Sequence, residues 1–237
     1  MNLKGKIALV TGSGRNIGRA TALKLAMQGA TVAVNARRNE IEAREVCEEI
    51  SDQGGKALPF IADIGVESEV IQMISQIEDS LGDVSILVNN AGLRESSVFA
   101  TMSTKEWRKV VSVNLDGPFF CARAVIPGMI KGKWGRIINV SGLNAFKGHS
   151  GWAHVSASKM GAIGLTRALS EEVAGDGILV NHIVPGGFDT KRHEDKRPAN
   201  QTDIQGIPVG RLGNPDEIAE TVAFLVSEGA TYITGQT

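Results

Sequence analysis

Apolar positions along the chain fall into short continuous runs separated by longer stretches of helical spacing. The runs at residues 6–11, 31–35, 56–62, 84–89, 135–140 and 178–183 are short and rich in Val, Ile, Leu and Ala, which predicts strands buried on both faces. Between and after them, residues 17–28, 40–53, 67–80, 104–114, 118–130, 152–174 and 215–227 carry the spacing of helices. Gly29 and Gly54-Gly55 stand where helices should stop, since glycine takes the left-handed conformation that ends a helix. No internal repeat and no low-complexity linker interrupts the series.

Strands alternating with helices predict an α/β fold, a doubly wound and mostly parallel sheet with helices on both faces. The expectation is a single domain over residues 1–237 of nucleotide-binding (Rossmann) type. In such a sheet ligands bind outside the carboxyl ends of the strands. Most of the polar and glycine-rich motifs lie at those ends: Thr11-Gly12, Asn89-Asn90-Ala91-Gly92, Asn139-Val140-Ser141 and Pro185-Gly186.

Composition narrows the class. Apolar residues make up 42% and charged residues 22%, ordinary for a globular protein. The 28 glycines exceed the usual share of about 7%, which suits loops that approach a ligand with bare backbone. A net charge of -1 gives no footprint for nucleic acid or an anionic membrane. No apolar stretch is long enough to span a bilayer, and no signal peptide opens the chain. Two cysteines, Cys47 and Cys121, fit a reduced, cytoplasmic setting rather than a disulfide framework.

The loop Thr11-Gly12-Ser13-Gly14-Arg15-Asn16-Ile17-Gly18 joins the first strand to the first helix. Its backbone N–H groups and the helix dipole suit a pyrophosphate. Gly12 permits a tight turn and Gly18 lets helix and strand approach. Asn16 stands where a middle glycine is usual, and asparagine is among the few residues that tolerate left-handed backbone angles.

With Asn89-Asn90-Ala91-Gly92, Val113-Asn114, Asn139-Val140-Ser141-Gly142, Ser158-Lys159, Val180-Asn181 through Pro185-Gly186, and Tyr232-Ile233-Thr234-Gly235, the whole chain resembles the short-chain dehydrogenase/reductase superfamily. The likeness is to its classical, β-ketoacyl-reductase-like branch. The resemblance implies that Asp63 and Ile64 hold an adenine, and that Asn90 and Gly92 run along its ribose. It implies that Pro185, Gly186, Phe188 and Thr190 cradle a nicotinamide carboxamide, and that Lys159 bonds the nicotinamide ribose. It also implies a homotetramer or dimer, joined through residues 118–130 and 152–174, and a substrate lid over about 190–210. The lid stretch is rich in charge, Lys191 to Arg197. Relatives continue into a last strand where this chain reads Gly235-Gln236-Thr237, so that strand is expected to be missing or truncated.

Charge argues for the choice of cofactor. Members that take NAD place an acid near the end of strand two to bond the ribose 2′-hydroxyl. Here the stretch reads Asn35-Ala36-Arg37-Arg38, with Arg15 nearby. Guanidinium groups suit a 2′-phosphate, so NADP is expected.

The reacting centre departs from the family. The resemblance implies a serine that polarises the carbonyl, a tyrosine that transfers the proton, a lysine that lowers the tyrosine pKa and an asparagine that anchors a water. Ser141, Lys159 and Asn114 match three of these, but the tyrosine position holds Val155. The one tyrosine in the chain is Tyr232. His154, one residue earlier, carries the side chain most often used as a general acid or base and is the foremost substitute. His149 and His193 are further candidates. Three readings stand: an NADP-dependent oxidoreductase that uses His154, Ser141 or a water on Lys159; an NADP-binding pseudoenzyme or partner subunit; and a reaction that needs no phenol, such as reduction of an activated cation. The first is favoured because Ser141, Lys159 and Asn114 are all retained. The substrate is a small molecule of unspecified identity, and no metal-ligating pattern is present.

Overall fold

A computed structural model describes residues 2–190 and 204–237. Six strands form one sheet: β1 (Ile7–Val10), β2 (Thr31–Ala36), β3 (Lys56–Ile61), β4 (Ile86–Asn89), β5 (Gly135–Val140) and β6 (Ile178–Ile183). Their order is β3-β2-β1-β4-β5-β6 and every pairing is parallel. The helices are α1 (Asn16–Met27), α2 (Glu40–Asp52), α3 (Glu67–Ser80), α4 (Thr104–Val111), α5 (Gly117–Gly132), α6 (Ala153–Val173) and α7 (Pro215–Leu225).

Alternate residues of each strand feed two cores. Ala8, Val10, Val32, Val34, Val88 and Ile138 pack with Leu25 of α1, Val46 and Ile50 of α2, and Val222 of α7. On the other face Leu9, Ala33, Leu87, Ile137 and Val180 pack with Met73 and Ile77 of α3 and Val125 and Met129 of α5. That two-sided burial is why the strands read as unbroken apolar runs. Chain order reverses between β1 and β4, and the loops after these two strands part there to open a crevice at their carboxyl ends.

The structure alters one of the expected elements. Helices expected at 104–114 and 118–130 are not separate. A π-helical segment, Ser112–Asp116, carries the backbone from α4 directly into α5. Asn114 explains its persistence. The side-chain amide donates to the Leu93 carbonyl at 2.9 Å and to Ser158 Oγ at 3.2 Å, and its Oδ1 accepts from the Leu93 N–H at 2.7 Å. Gly117 then sits so close to Ile64 that an added Cβ would lie 2.8 Å from Ile64 Cδ1. The C-terminal tail, where a last strand is expected to be missing or truncated, forms no strand of its own. Residues 233–236 run along the outer edge of β6: Gly235 N–H donates to the Val180 carbonyl at 2.7 Å and His182 N–H to the Gln236 carbonyl at 2.9 Å. The tail thus supplies partners that an edge strand would supply. Most of the expected lid, residues 191–203, lies outside the described residues.

Candidate active site

A cleft of about 910 Å³ opens at the carboxyl ends of the strands. Its phosphate-loop wall is held by a clamp from β2. Gly12 N–H donates to Asn35 Oδ1 at 3.1 Å, and Ser13 N–H to the Asn35 carbonyl at 2.8 Å. The Asn35 amide nitrogen donates in turn to the carbonyls of Phe60 and Ala62, each at 3.2 Å. Asn35 is 1% exposed, so the side chain that ends β2 is turned inward to hold the loop. The other side is tied by Thr11, whose hydroxyl accepts from the N–H groups of Asn90 and Ala91 at 3.0 and 3.1 Å.

Asn16 has φ 51°, the left-handed conformation expected of it. At Gly18 an added Cβ would stand 2.4 Å from the Gly12 carbonyl oxygen, so only glycine allows this approach. Helix α1 begins there with no side-chain cap and no acid in its first turn. Its leading N–H groups have no intrahelical partners, and the positive end of its dipole faces the cleft wall. That is the donor set a pyrophosphate needs. Arg15, Arg37 and Arg38, all exposed, line the same end of the cleft, together with one acid from α2, Glu42.

Every residue expected to hold the cofactor borders this one cleft. Gly12, Arg15, Asn16, Ile17 and Gly18 form one part of the wall, and Arg37, Arg38, Asp63 and Ile64 another. Asn90 and Gly92 follow β4, and Lys159 projects from α6. Pro185, Gly186, Phe188 and Thr190 close the far end. This last segment is fixed by a parallel bridge, Phe188 to Gly213, and by the Asp189 N–H donating to the Gly213 carbonyl at 2.8 Å. The groups present fit a dinucleotide.

Ser141, Lys159 and Asn114 also border the cleft. Ser141 follows β5 and its N–H donates to the Ile183 carbonyl at 3.0 Å. Lys159 is 7% exposed, and a Cβ added at Gly142 would lie 2.7 Å from its Nζ. The ammonium therefore lies against the residue next to Ser141. Burial, and then the charge of Arg94, lower the Lys159 pKa to about 8.

His154 and Val155 lie elsewhere. Both are fully buried in the first turn of α6, and neither borders the cleft. Neither ring nitrogen of His154 has a hydrogen-bond partner among the described residues. His149 is exposed, its Nδ1 within 2.9 Å of the Ser150 carbonyl. His193 lies outside the described residues.

Among the described residues the histidine that does reach the cleft is His182 on β6. Its Nε2 is 2.8 Å from Ser141 Oγ, and its Nδ1 is 3.1 Å from Thr166 Oγ1 on α6. Thr166 Oγ1 accepts from the Asn139 amide at 2.8 Å, and Asn139 Oδ1 accepts from the Asn89 amide at 2.8 Å. Burial, chiefly, and also the charge of Lys159 lower the His182 pKa to about 4. The available signal was a histidine in a largely apolar strand, four residues before Gly186 in the motif that closes the cleft.

Comparison with known proteins follows the same lines. The family described as short chain dehydrogenase matches residues 6–201. The chain is 39% identical over 236 residues to a 3-oxoacyl-[acyl-carrier-protein] reductase of Synechocystis, covering 99% of this chain and 95% of that protein. It is 37% identical over 237 residues to (2S)-[(R)-hydroxy(phenyl)methyl]succinyl-CoA dehydrogenase subunit BbsD of Thauera aromatica, covering 100% and 95%. Among solved structures, a candidate NAD(P)-dependent gluconate 5-dehydrogenase from Beutenbergia cavernae, with NADP bound at low occupancy, superposes with TM-score 0.90. It is 35% identical, with 99% of this chain and 94% of that chain covered.

Proposed function

This chain belongs to the short-chain dehydrogenase family, and on that premise we propose that it is an NADP-dependent oxidoreductase acting on the alcohol and carbonyl (or imine-like) forms of a small molecule, without tyrosine as proton donor. The observation that carries the reading is the gathering of Ser141, Lys159 and Asn114 at the cleft that also holds all the cofactor-binding candidates. Bound NADP would supply or take the hydride. The N-terminus of α1 would hold its pyrophosphate, and Arg15, Arg37 and Arg38 its 2′-phosphate. Asp63 and Ile64 would flank the adenine, and Pro185 to Thr190 the carboxamide.

Ser141 would hydrogen-bond the substrate oxygen. Lys159 would place a cation beside the charge that develops there, in a buried position where that charge counts for more than in water. With a pKa of about 8, Lys159 also sits close to the pH at which it can exchange a proton with a bound water. The chain would work as a homodimer or homotetramer joined through α5 and α6, whose Phe119 and Met160 leave apolar surface exposed.

A second reading is an NADP-binding partner subunit. It is favoured by Val155, fully buried where the family carries its tyrosine, and by a relative that is itself named as a subunit. One experiment separates the two. NADPH binding is titrated by fluorescence, and turnover is then followed by the absorbance of the reduced cofactor against a panel of ketones, imines and the matching alcohols and amines. Binding with turnover is the expected result. Binding without turnover of any member would favour the partner subunit.

A further inference from the structure

We propose that His182, acting through Ser141, accepts the proton that a substrate alcohol releases on oxidation, and so stands in for the missing phenol. This rests on the oxidoreductase reading above.

The argument is one of hydrogen-bond polarity. The Asn89 amide nitrogen faces the Pro118 carbonyl, which can only accept, at 3.5 Å, and so it donates to Asn139 Oδ1 at 2.8 Å and sets the orientation of the Asn139 amide. Asn139 must then present its NH₂ to Thr166 Oγ1, 2.8 Å away. Thr166 has one proton, and the Ala162 carbonyl 2.9 Å from its hydroxyl can only accept, so the proton goes there. Thr166 can therefore offer only a lone pair to His182 Nδ1 at 3.1 Å, and Nδ1 must carry the ring proton. Nε2 is left with its lone pair facing Ser141 Oγ at 2.8 Å, and Ser141 donates to it. Once its proton is committed to His182, Ser141 turns oxygen lone pairs toward the cleft. It is an acceptor for a hydroxyl.

The environment agrees with a neutral ring. His182 is 3% exposed. Among the described residues the charged group that faces it is Lys159 on α6; the other neighbours, Asn139 on β5, Ser141 just beyond it, Thr166 and the Ala162 carbonyl on α6 and the Gln236 carbonyl of the tail, are uncharged. Burial, above all, and Lys159 oppose a resident imidazolium, and together they outweigh the hydrogen bond to the Ala162 carbonyl, which favours it. In the step itself the substrate C–H leaves as hydride to the oxidised nicotinamide and the carbonyl π-bond forms. The substrate O–H proton passes to Ser141 Oγ, and the former Ser141 proton passes to His182 Nε2. The substrate is oxidised by two electrons and the cofactor reduced by two. After the product leaves, the disfavoured imidazolium returns its proton through Ser141 to water. His182 is thus a positioning and relay residue for Ser141, and the site is arranged to run as an alcohol dehydrogenase.

The test has two arms. Nitrogen-15 NMR of histidine-labelled protein without cofactor, with His182 assigned by its loss in His182→Gln, reads the tautomer directly. A proton on Nδ1, and an Nε2 resonance that moves in Ser141→Ala, is expected. A proton on Nε2 would overturn the relay. The second arm follows alcohol oxidation in His182→Gln, whose side chain can hydrogen-bond Ser141 but cannot carry a proton away. Its kcat is expected to drop about 10²–10⁴-fold with KM for the alcohol and affinity for NADP little changed. Oxidation at the unaltered rate with an unaltered pH profile would also overturn the relay, while leaving the oxidoreductase reading intact. Unaltered protein that binds NADP yet oxidises and reduces nothing would instead overturn that reading, and the relay with it, whichever tautomer is found.

Discussion

At the scale of single residues, the site turns on which side chains border the cleft and which only sit near it in sequence. Val155 is fully buried, and its carbonyl accepts from Ser158 Oγ at 3.0 Å, so the first turn of α6 is closed around a small side chain. Val155→Tyr must push packed neighbours aside, at a cost of roughly 1–3 kcal/mol in unfolding free energy. If the phenol then emerges between Ser141 and Lys159, it gives the site a general acid, typically a gain of about 10²–10⁴-fold. The expected outcome is a lower melting temperature with new or improved reduction of simple activated ketones by NADPH. A crystal structure with the phenol in place, and no activity on any ketone, would show that the site is not a disarmed reductase. His154 leads to a different expectation. Two ring nitrogens buried without partners among the described residues cost stability, about 1–3 kcal/mol for each unsatisfied group. His154→Leu is therefore expected to leave stability equal or higher and activity within a few-fold of the unaltered protein. A loss of activity of 10²-fold or more, of the size expected for a general acid, would restore His154 as the proton donor.

At the scale of elements, local patterns were legible and non-local ones were not. The phosphate loop could be read because Gly12, Asn16 and Gly18 act within one turn, and the left-handed φ of 51° at Asn16 follows from its own chemistry. The π-helical segment at Ser112–Asp116 could not be read, because one extra residue per turn barely disturbs the apolar spacing. The Asn114 bonds that stabilise it reach back to Leu93. His182 was hidden in the same way: β6 reads as a uniformly buried strand, while its partners Thr166 and Ser141 come from α6 and the end of β5. The end of β2 lies between these cases. The absence of an acid there is visible in sequence, but the inward clamp by Asn35 is not. With Asn35 occupied, Arg37 and Arg38 are the side chains beyond β2 that border the cleft, where we propose they meet the ribose. Changing both to Ala should remove charge-assisted bonds of roughly 1.5–3 kcal/mol each to a 2′-phosphate, and so abolish a preference for NADPH over NADH. A titration in which the unaltered protein binds NADH as well as NADPH would contradict that assignment.

For the whole molecule, the two buried bases make the site a drain on stability, and the pH dependence of folding should reveal it. His182 falls from an ordinary 6.5 to about 4 in the fold, so between those values the unfolded chain binds more protons. Stability must then fall as pH drops from 6.5 toward 4, by at most about 3 kcal/mol. Lys159 falls from 10.5 to about 8. Below pH 8 the lysine is charged in both states, and the full cost of burying that charge is present. As pH rises from 8 to 10.5 the folded state sheds the proton first, and stability from this group rises, again by at most about 3 kcal/mol. These slopes share the curve with every other titrating group, Glu217 among them, whose bonds to Arg211 and Asn214 hold it at about 2. The comparison that isolates them is unaltered protein against Lys159→Met and His182→Val, with urea midpoints measured from pH 4 to 10.5. Lys159→Met should gain most, relative to the unaltered protein, below pH 8, and that advantage should shrink toward pH 10.5. His182→Val should lose less stability than the unaltered protein between pH 6.5 and 4. Parallel curves for all three would mean that neither base is held neutral by its burial, and that the cleft is wetter and less strongly polarised than its packing implies.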